Sequence, residues 1–262
     1  KDPLILDDDF TPNGNKHWNY KRYKRKINKL STVISQIGTE RSYFSPAIVG
    51  VAEVENDTVL SDLISTINLK NEHYGVVHYD SLDERGIDVA LLYKKELFEL
   101  LHSETFTLYI ENEYGERDFT RDILLVKGNL NGELMHVLIN HWPSRRSGED
   151  VSEEKRIKAA ELVTSIVHKI NEETTNAKII VMGDFNDNPT NISVKKYLVN
   201  NTFYNPMERL IDTGNGTLNH KNKWHLFDQI IFSKNFIAYC MAFHEFCEKS
   251  VGSKIDFIYI PS

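Results

Sequence analysis

The chain has 262 residues, 40 % of them hydrophobic and 26 % charged, which is enough material for one large domain with a substantial core. Its net charge of −7 means that the overall field draws in neither nucleic acid nor anionic lipid, although a local basic cleft stays open. Two cysteines, Cys240 and Cys247, make no disulfide framework, and no apolar run approaches the roughly 20 residues of a membrane span.

The opening, DPLILDDDFTPNGNKHW, is polar and rich in turn formers, and an irregular start is expected. A helix is predicted from about Trp18 to Ile37, with Tyr20, Tyr23, Ile27, Leu30, Ile34 and Ile37 at spacings of three and four and Gly38 as the stop. The β-branched run AIVGVAEVE reads as a buried strand, and Asn56 then caps a short helix. YGVVHYD and GIDVALLYK read as two strands. DILLVKGNL and ELMHVLINHW flank Asn131-Gly132, a strong hairpin signal. Ser152 to Ile170 is predicted to be amphipathic, with Ile157, Ala160, Val163, Ile166, Val167 and Ile170 inward. KIIVMG, a short helix near Ser193 to Leu198 and LFDQIIFS follow. Strands and helices alternate, but hairpins break a strict βαβ rhythm. The expected fold is α/β: a four-layered α/β sandwich, two mixed sheets face to face with helices outside, forming one domain over residues 1–262.

Polar residues collect at the predicted strand exits. In VMGDFNDNPT an apolar strand stops at a glycine, and Asp184 and Asn186 follow two apart. On an extended chain they point the same way, yet the segment read alone is equally an Asx-rich turn closed by Pro189. Glu53 ends the run GVA, His141 follows LIN, and Asp228 sits inside the apolar LFDQIIF. A carboxylate among Leu, Phe and Ile needs a partner or a metal. Taken singly, Glu53 reads more readily as a solvated strand end and His141 as a structural histidine, and Asp228 equally as a salt-bridge or turn partner. Together, hard oxygen donors without a Cys-His cluster suit Mg²⁺ (or Mn²⁺) better than zinc.

In this order, VAEVEN, RGIDVALLY, NHWPSR, GDFNDNP and FDQIIFS resemble the endonuclease/exonuclease/phosphatase superfamily, the fold of DNase I and exonuclease III. The resemblance implies a metal-dependent phosphoesterase. It makes Glu53 the metal-binding glutamate, His141 the histidine on the scissile phosphate, Asp184 the residue that orients or deprotonates water, and Asn186 a phosphate and metal ligand. It aligns Asp228 with an aspartate of a later strand, with Asp256 as its rival. Metal ligands are then Glu53, Asp184 and Asn186. Arg85 and Asp88 are expected to line the cleft. Arg85 reads as a phosphate ligand or equally as a surface turn arginine, and Arg145 and Arg146, next to His141, are better candidates for substrate phosphate than the basic helix YKRYKRKINK. The chain departs from the family in lacking its first strand, which carries an asparagine, and its Ser-Asp-His stretch; no histidine follows His244. A longer native chain carrying both pieces is therefore expected, and His225 is the better placed late histidine to substitute for the missing one.

The expected partner is a phosphate ester, with nucleic acid among the options and the protein a monomer. A phosphodiesterase, a phosphatase for a small or lipid phosphate and a catalytically degenerate binding module all fit. The tyrosines of YKRYKRKINK are read as core. Trp142 and Trp224 are read as able to stack on a base or to pack. Binding to long duplex DNA is expected to be weak. The sequence leaves the compartment open: soluble, and either cytoplasmic or exported with a signal already removed.

Overall fold

The computed structural model describes residues 8–39, 44–145, 148–211, 214, 216–236 and 257–260, the last as backbone. Asn19 caps helix α1 (Tyr20–Gln36) by accepting from the Arg22 N–H at 3.1 Å, and Gly38 follows its end at φ +80°. Asn56 caps α2 (Asp57–Ile64) in the same way. Both pack on a sheet of order β14-β1-β3-β2, formed by β1 (Ile48–Val54), β2 (Tyr74–His78), β3 (Asp88–Lys94) and β14 (Phe257–Ile260).

The second sheet has order β10-β13-β9-β8-β7-β4. Its strands are β4 (Phe98–Phe106), β7 (Ile123–Leu130), β8 (Glu133–His141), β9 (Ile179–Asp184), β10 (Phe203–Tyr204) and β13 (Asp228–Ser233). Helix α3 (Glu149–Glu173) and a short π-helix (Ser193–Val199) cover its outer face. Two small hairpins, β5 (Ile110–Glu111) with β6 (Arg117–Asp118) and β11 (Leu218–His220) with β12 (Lys223–His225), stand apart.

Three apolar layers separate four structural ones. Ile27 and Ile34 of α1 and Leu60 of α2 meet Val49, Val51 and Leu92. Between the sheets, Ile48, Ala52 and Leu91 face Leu124, Ile139 and Met182. On the far side, Leu125, Leu138 and Val181 meet Ala159, Val163 and Ile166 of α3. Neighbours such as Leu124 and Leu125 enter opposite layers, as the two-residue repeat of a strand requires. The four-layered α/β sandwich is thus observed.

Four details differ from the sequence reading. Tyr20 is 68 % exposed rather than core, and Tyr23 is half-buried with its hydroxyl donating to Asp62 at 2.7 Å. In α3 Arg156 is fully buried, while Ile157 is only half-buried. The edge strand β4 was not anticipated, because most of its residues are exposed and its sequence carries no two-residue repeat. The tail does form a strand, β14, but beside β1 in parallel, in the sheet that does not carry Asp228.

Candidate active site

The site forms where the inner faces of the two sheets run out of apolar residues. β8 and β9 are parallel, with His141 opposite Asp184, and β13 runs antiparallel to β9 with Asp228 opposite Asp184. Directly paired residues project from the same face. Each also continues an inward series: Val137 and Ile139 before His141, Ile180 and Met182 before Asp184, Ile230 and Phe232 after Asp228. His141, Asp184 and Asp228 therefore form one transverse row across three strands. His141 Nε2 lies 3.8 Å from Asp184 Oδ2.

Close backbone approach sets this row. A Cβ on Gly183 would fall 1.9 Å from the Asn140 carbonyl oxygen, so glycine is needed where β9 ends against β8. Asn186 then turns back at φ +50°, a conformation asparagine tolerates. The Trp142 peptide ties both residues down. Its N–H donates to the Asp184 carbonyl at 2.8 Å, and its carbonyl accepts from Asn186 Nδ2 at 2.9 Å. Asn186 N–H also donates to Asp184 Oδ1 at 2.8 Å.

Glu53 arrives from the other sheet. A bulge between Ala52 and Val54 inserts Glu53 as an extra residue at φ +56°, and Val54 resumes the outward series of Val49 and Val51. Bulges re-aim a side chain in this way. The Glu53 charge reaches both aspartates of the row. Burial pushes Asp184 up to about 6, against the Asn186 N–H and the Arg121 guanidinium, with Glu53 adding to the rise. Burial and the facing Asp184 push Asp228 up to about 7. Asp228 Oδ1 is buried with no hydrogen-bond partner. An orphaned buried carboxylate oxygen amid acids that raise one another fits a cation, and the donor set of carboxylates and an amide fits a hard one.

Five of the anticipated residues, Glu53, His141, Asp184, Asn186 and Asp228, thus stand together at one end of the sandwich. Arg85 joins them: Nη1 lies 4.0 Å from Glu53 Oε1. Arg145 is tied into the loop after β9. Nε donates to the Asn186 carbonyl at 2.8 Å, Nη1 pairs with Glu149, and Nη2 pairs with Asp187. Arg146, His244 and Asp256 lie outside the described residues. His225 Nδ1 is 3.4 Å from Asn188 Nδ2 and its ring packs on Phe227. Trp142 is core, edge-on to Phe185, whereas Trp224 is 49 % exposed.

Several supporting residues escaped the sequence reading. Asp187 is fully buried between Arg145 and Arg156, the latter at 2.7 Å, and accepts from Ser193. Arg121, buried ahead of β7, bridges Asp83 at 3.0 Å and the Trp142 carbonyl at 2.6 Å. Arg156 left a legible trace, being a charge on the buried stripe of an amphipathic helix, where it must be paired. Asp83 and Arg121 sit in polar turns and left none.

One ligand atom each from His78, Asp80 and Asp88 also lie within 4.8 Å of one another. His78, however, is already bonded to Asp57 at 2.7 Å and Asp88 at 3.1 Å, and Asp88 Oδ1 accepts from Ser81. Asp88 thus braces the loop between β2 and β3.

A sandwich of two sheets with an acidic, oxygen-rich row at its open end defines a layered α/β protein built around one strand-end site. The chain belongs to the Endonuclease/Exonuclease/phosphatase family, whose model matches residues 1–254. No curated protein matches the sequence. Among solved structures, a humanized D. rerio TDP2 with 14 mutations is similar at TM-score 0.58 and 15 % identity, over 82 % of this chain and 78 % of that one. The human Nocturnin catalytic domain with bound sulfate is similar at 0.58 and 18 %, over 82 % and 76 %. A Bacteroides thetaiotaomicron mannosyl-6-phosphatase is similar at 0.57 and 18 %, over 82 % and 81 %. At these identities the likeness is one of fold. No described helix is long and apolar enough to cross a membrane.

Proposed function

We propose that the protein is a divalent-metal-dependent phosphoesterase that hydrolyses a phosphodiester, in line with its family membership. The observation that carries this reading is the row His141–Asp184–Asp228 meeting Glu53 across the gap between the sheets. Glu53, Asp184 and Asn186 would hold Mg²⁺ or Mn²⁺, which when bound polarises a phosphoryl oxygen and steadies the leaving oxygen.

The remaining work falls to the side chains. Asp184 orients the attacking water and accepts its proton. His141, beside it, donates to a phosphoryl oxygen as charge develops there. Asn186 spends its Nδ2 on the Trp142 carbonyl, which leaves Oδ1, an acceptor, for the cation. Asp228 supplies a second carboxylate opposite Asp184, with its Oδ1 buried and without a hydrogen-bond partner. Arg85, beside Glu53, meets the substrate phosphate. Arg145 acts by holding the Asn186 carbonyl and Asp187 in place.

The test is a set of phosphate mono- and diesters assayed with Mg²⁺ for wild type and Asp184→Asn. The expected result is diester hydrolysis that falls at least about a hundredfold in the variant with thermal stability retained. A variant that unfolds would return VMGDFNDNPT to the role of a structural turn. Hydrolysis confined to monoesters would make the protein a phosphatase.

A further inference from the structure

Two buried charges stand behind the site rather than in it. Asp83 lies in the loop between β2 and β3 of the first sheet, and Arg121 lies just ahead of β7 of the second. Both side chains are at most 5 % exposed and they pair at 3.0 Å, so the pair crosses from one sheet to the other. Each partner also has a second contact, and these run in opposite directions. Asp83 gives Oδ2 to Arg121, while its Oδ1 accepts from the Arg85 N–H at 2.9 Å and lies 3.7 Å from Arg85 Nε. Arg85 in turn stands 4.0 Å from Glu53. Arg121 Nη2 donates to the Trp142 carbonyl at 2.6 Å. The same oxygen accepts from Asn186 Nδ2 at 2.9 Å, and the Trp142 N–H donates to the Asp184 carbonyl at 2.8 Å. One carboxylate thus reaches the Glu53 side through one oxygen and the Asp184–Asn186 side through the other.

Stability alone does not account for the pair. A buried ion pair is often no better than apolar residues of similar volume. This one also leaves Arg121 Nε buried without a hydrogen-bond partner, a penalty that apolar residues would avoid. What they could not supply is a planar fork with one arm for Asp83 and one for the Trp142 carbonyl. A carbonyl oxygen has two lone pairs. Both are taken here, so Arg121 and the Asn186 side chain fix each other through the oxygen they share.

We infer that Asp83 and Arg121 are positioning residues that fix Glu53 of one sheet against Asp184 and Asn186 of the other, and so preorganise the cation site. The inference rests on the phosphoesterase reading and names what aligns the two halves of its metal site. Neither residue touches the cation or the substrate: Asp83 acts through Arg85, and Arg121 acts through the Trp142 peptide. Removing partners placed behind metal ligands in this way costs about ten- to a hundredfold in metal affinity or activity.

The experiment measures Mn²⁺ affinity by electron paramagnetic resonance, alongside thermal melting and turnover of bis(p-nitrophenyl) phosphate. Two variants are compared with wild type. Arg121→Lys keeps a cation opposite Asp83 but has no second arm for the Trp142 carbonyl. The double variant Asp83→Leu/Arg121→Met fills the same space with apolar side chains and removes both buried charges. Each is expected to melt close to wild type and to bind Mn²⁺ at least about tenfold more weakly. Each should also lose kcat at saturating Mn²⁺, with KM changed by less than about threefold. A merely structural pair would leave both readouts intact once folding is retained. A folded variant with wild-type Mn²⁺ affinity and kcat therefore overturns the inference. Failure of both variants to fold makes the pair structural and overturns it too; if one folds, that one decides. Wild type that neither binds Mn²⁺ nor turns over the diester sinks the phosphoesterase reading, and this inference with it. Equal Mn²⁺ affinity and turnover in all three proteins sinks the positioning role alone.

Discussion

Asp187 shows how much of the site depends on a residue that does no chemistry. It is fully buried, and both of its oxygens answer guanidinium groups, Arg145 on one side and Arg156 on the other. Breaking a buried pair from one side costs about 3–5 kcal/mol, because the charge left behind stays uncompensated; here two are left. Asp187→Ala is therefore expected to lose at least about 3 kcal/mol in urea denaturation. It should lose turnover as well, since Arg145 would no longer hold the Asn186 carbonyl. A loss below about 1 kcal/mol would show that the pair is solvated. The sequence revealed the ends of this arrangement but not its middle. Asp184 and Asn186 were legible because polar residues at a strand exit are conspicuous. Asp187, between them and the proline, looked like one more turn former.

At the scale of elements, the bulge in β1 is where geometry was bent to bring the sheets together. Glu53 occupies the left-handed region at φ +56° and sits among acids. A non-glycine residue there costs about 1–2 kcal/mol. Glu53→Gly should relieve both the strain and the repulsion, so it is expected to be neutral or to stabilise by up to about 1 kcal/mol while abolishing metal-dependent hydrolysis. A variant that is destabilised and still active would mean that the bulge serves packing alone. Most elements were legible: the caps at Asn19 and Asn56, the turn at Asn131-Gly132 and the buried strands each carry a local signal. The bulge was not, because nothing in AEV distinguishes an extra residue from the next alternating one. Register across three strands was equally hidden, and it alone sets His141 and Asp228 beside Asp184.

For the molecule as a whole, pH dependence should enter through His136 on β8. It is 3 % exposed, and burial, helped by Lys127 opposite it, pushes its imidazole down to about 4 from 6.5. The unfolded chain then binds a proton that the folded one refuses between those values. This contribution to stability is intact above about 6.5 and lost as pH falls towards 4, by at most on the order of 3 kcal/mol. Asp184 and Asp228, raised to about 6 and 7, act in the opposite sense over this range, so the check is relative. From pH 7.5 to 4.5 the urea midpoint of His136→Leu should rise relative to that of wild type, and an unchanged difference between the two proteins would assign the effect to other groups.

The central claim is that acids from two sheets form a single cation site, and anomalous scattering from crystals soaked in Mn²⁺ tests it most directly. The account predicts a peak bonded to Glu53 and to at least one of Asp184 and Asn186, absent in Glu53→Gln crystals. A peak at His78, Asp80 and Asp88 instead, with none at Glu53, would contradict it.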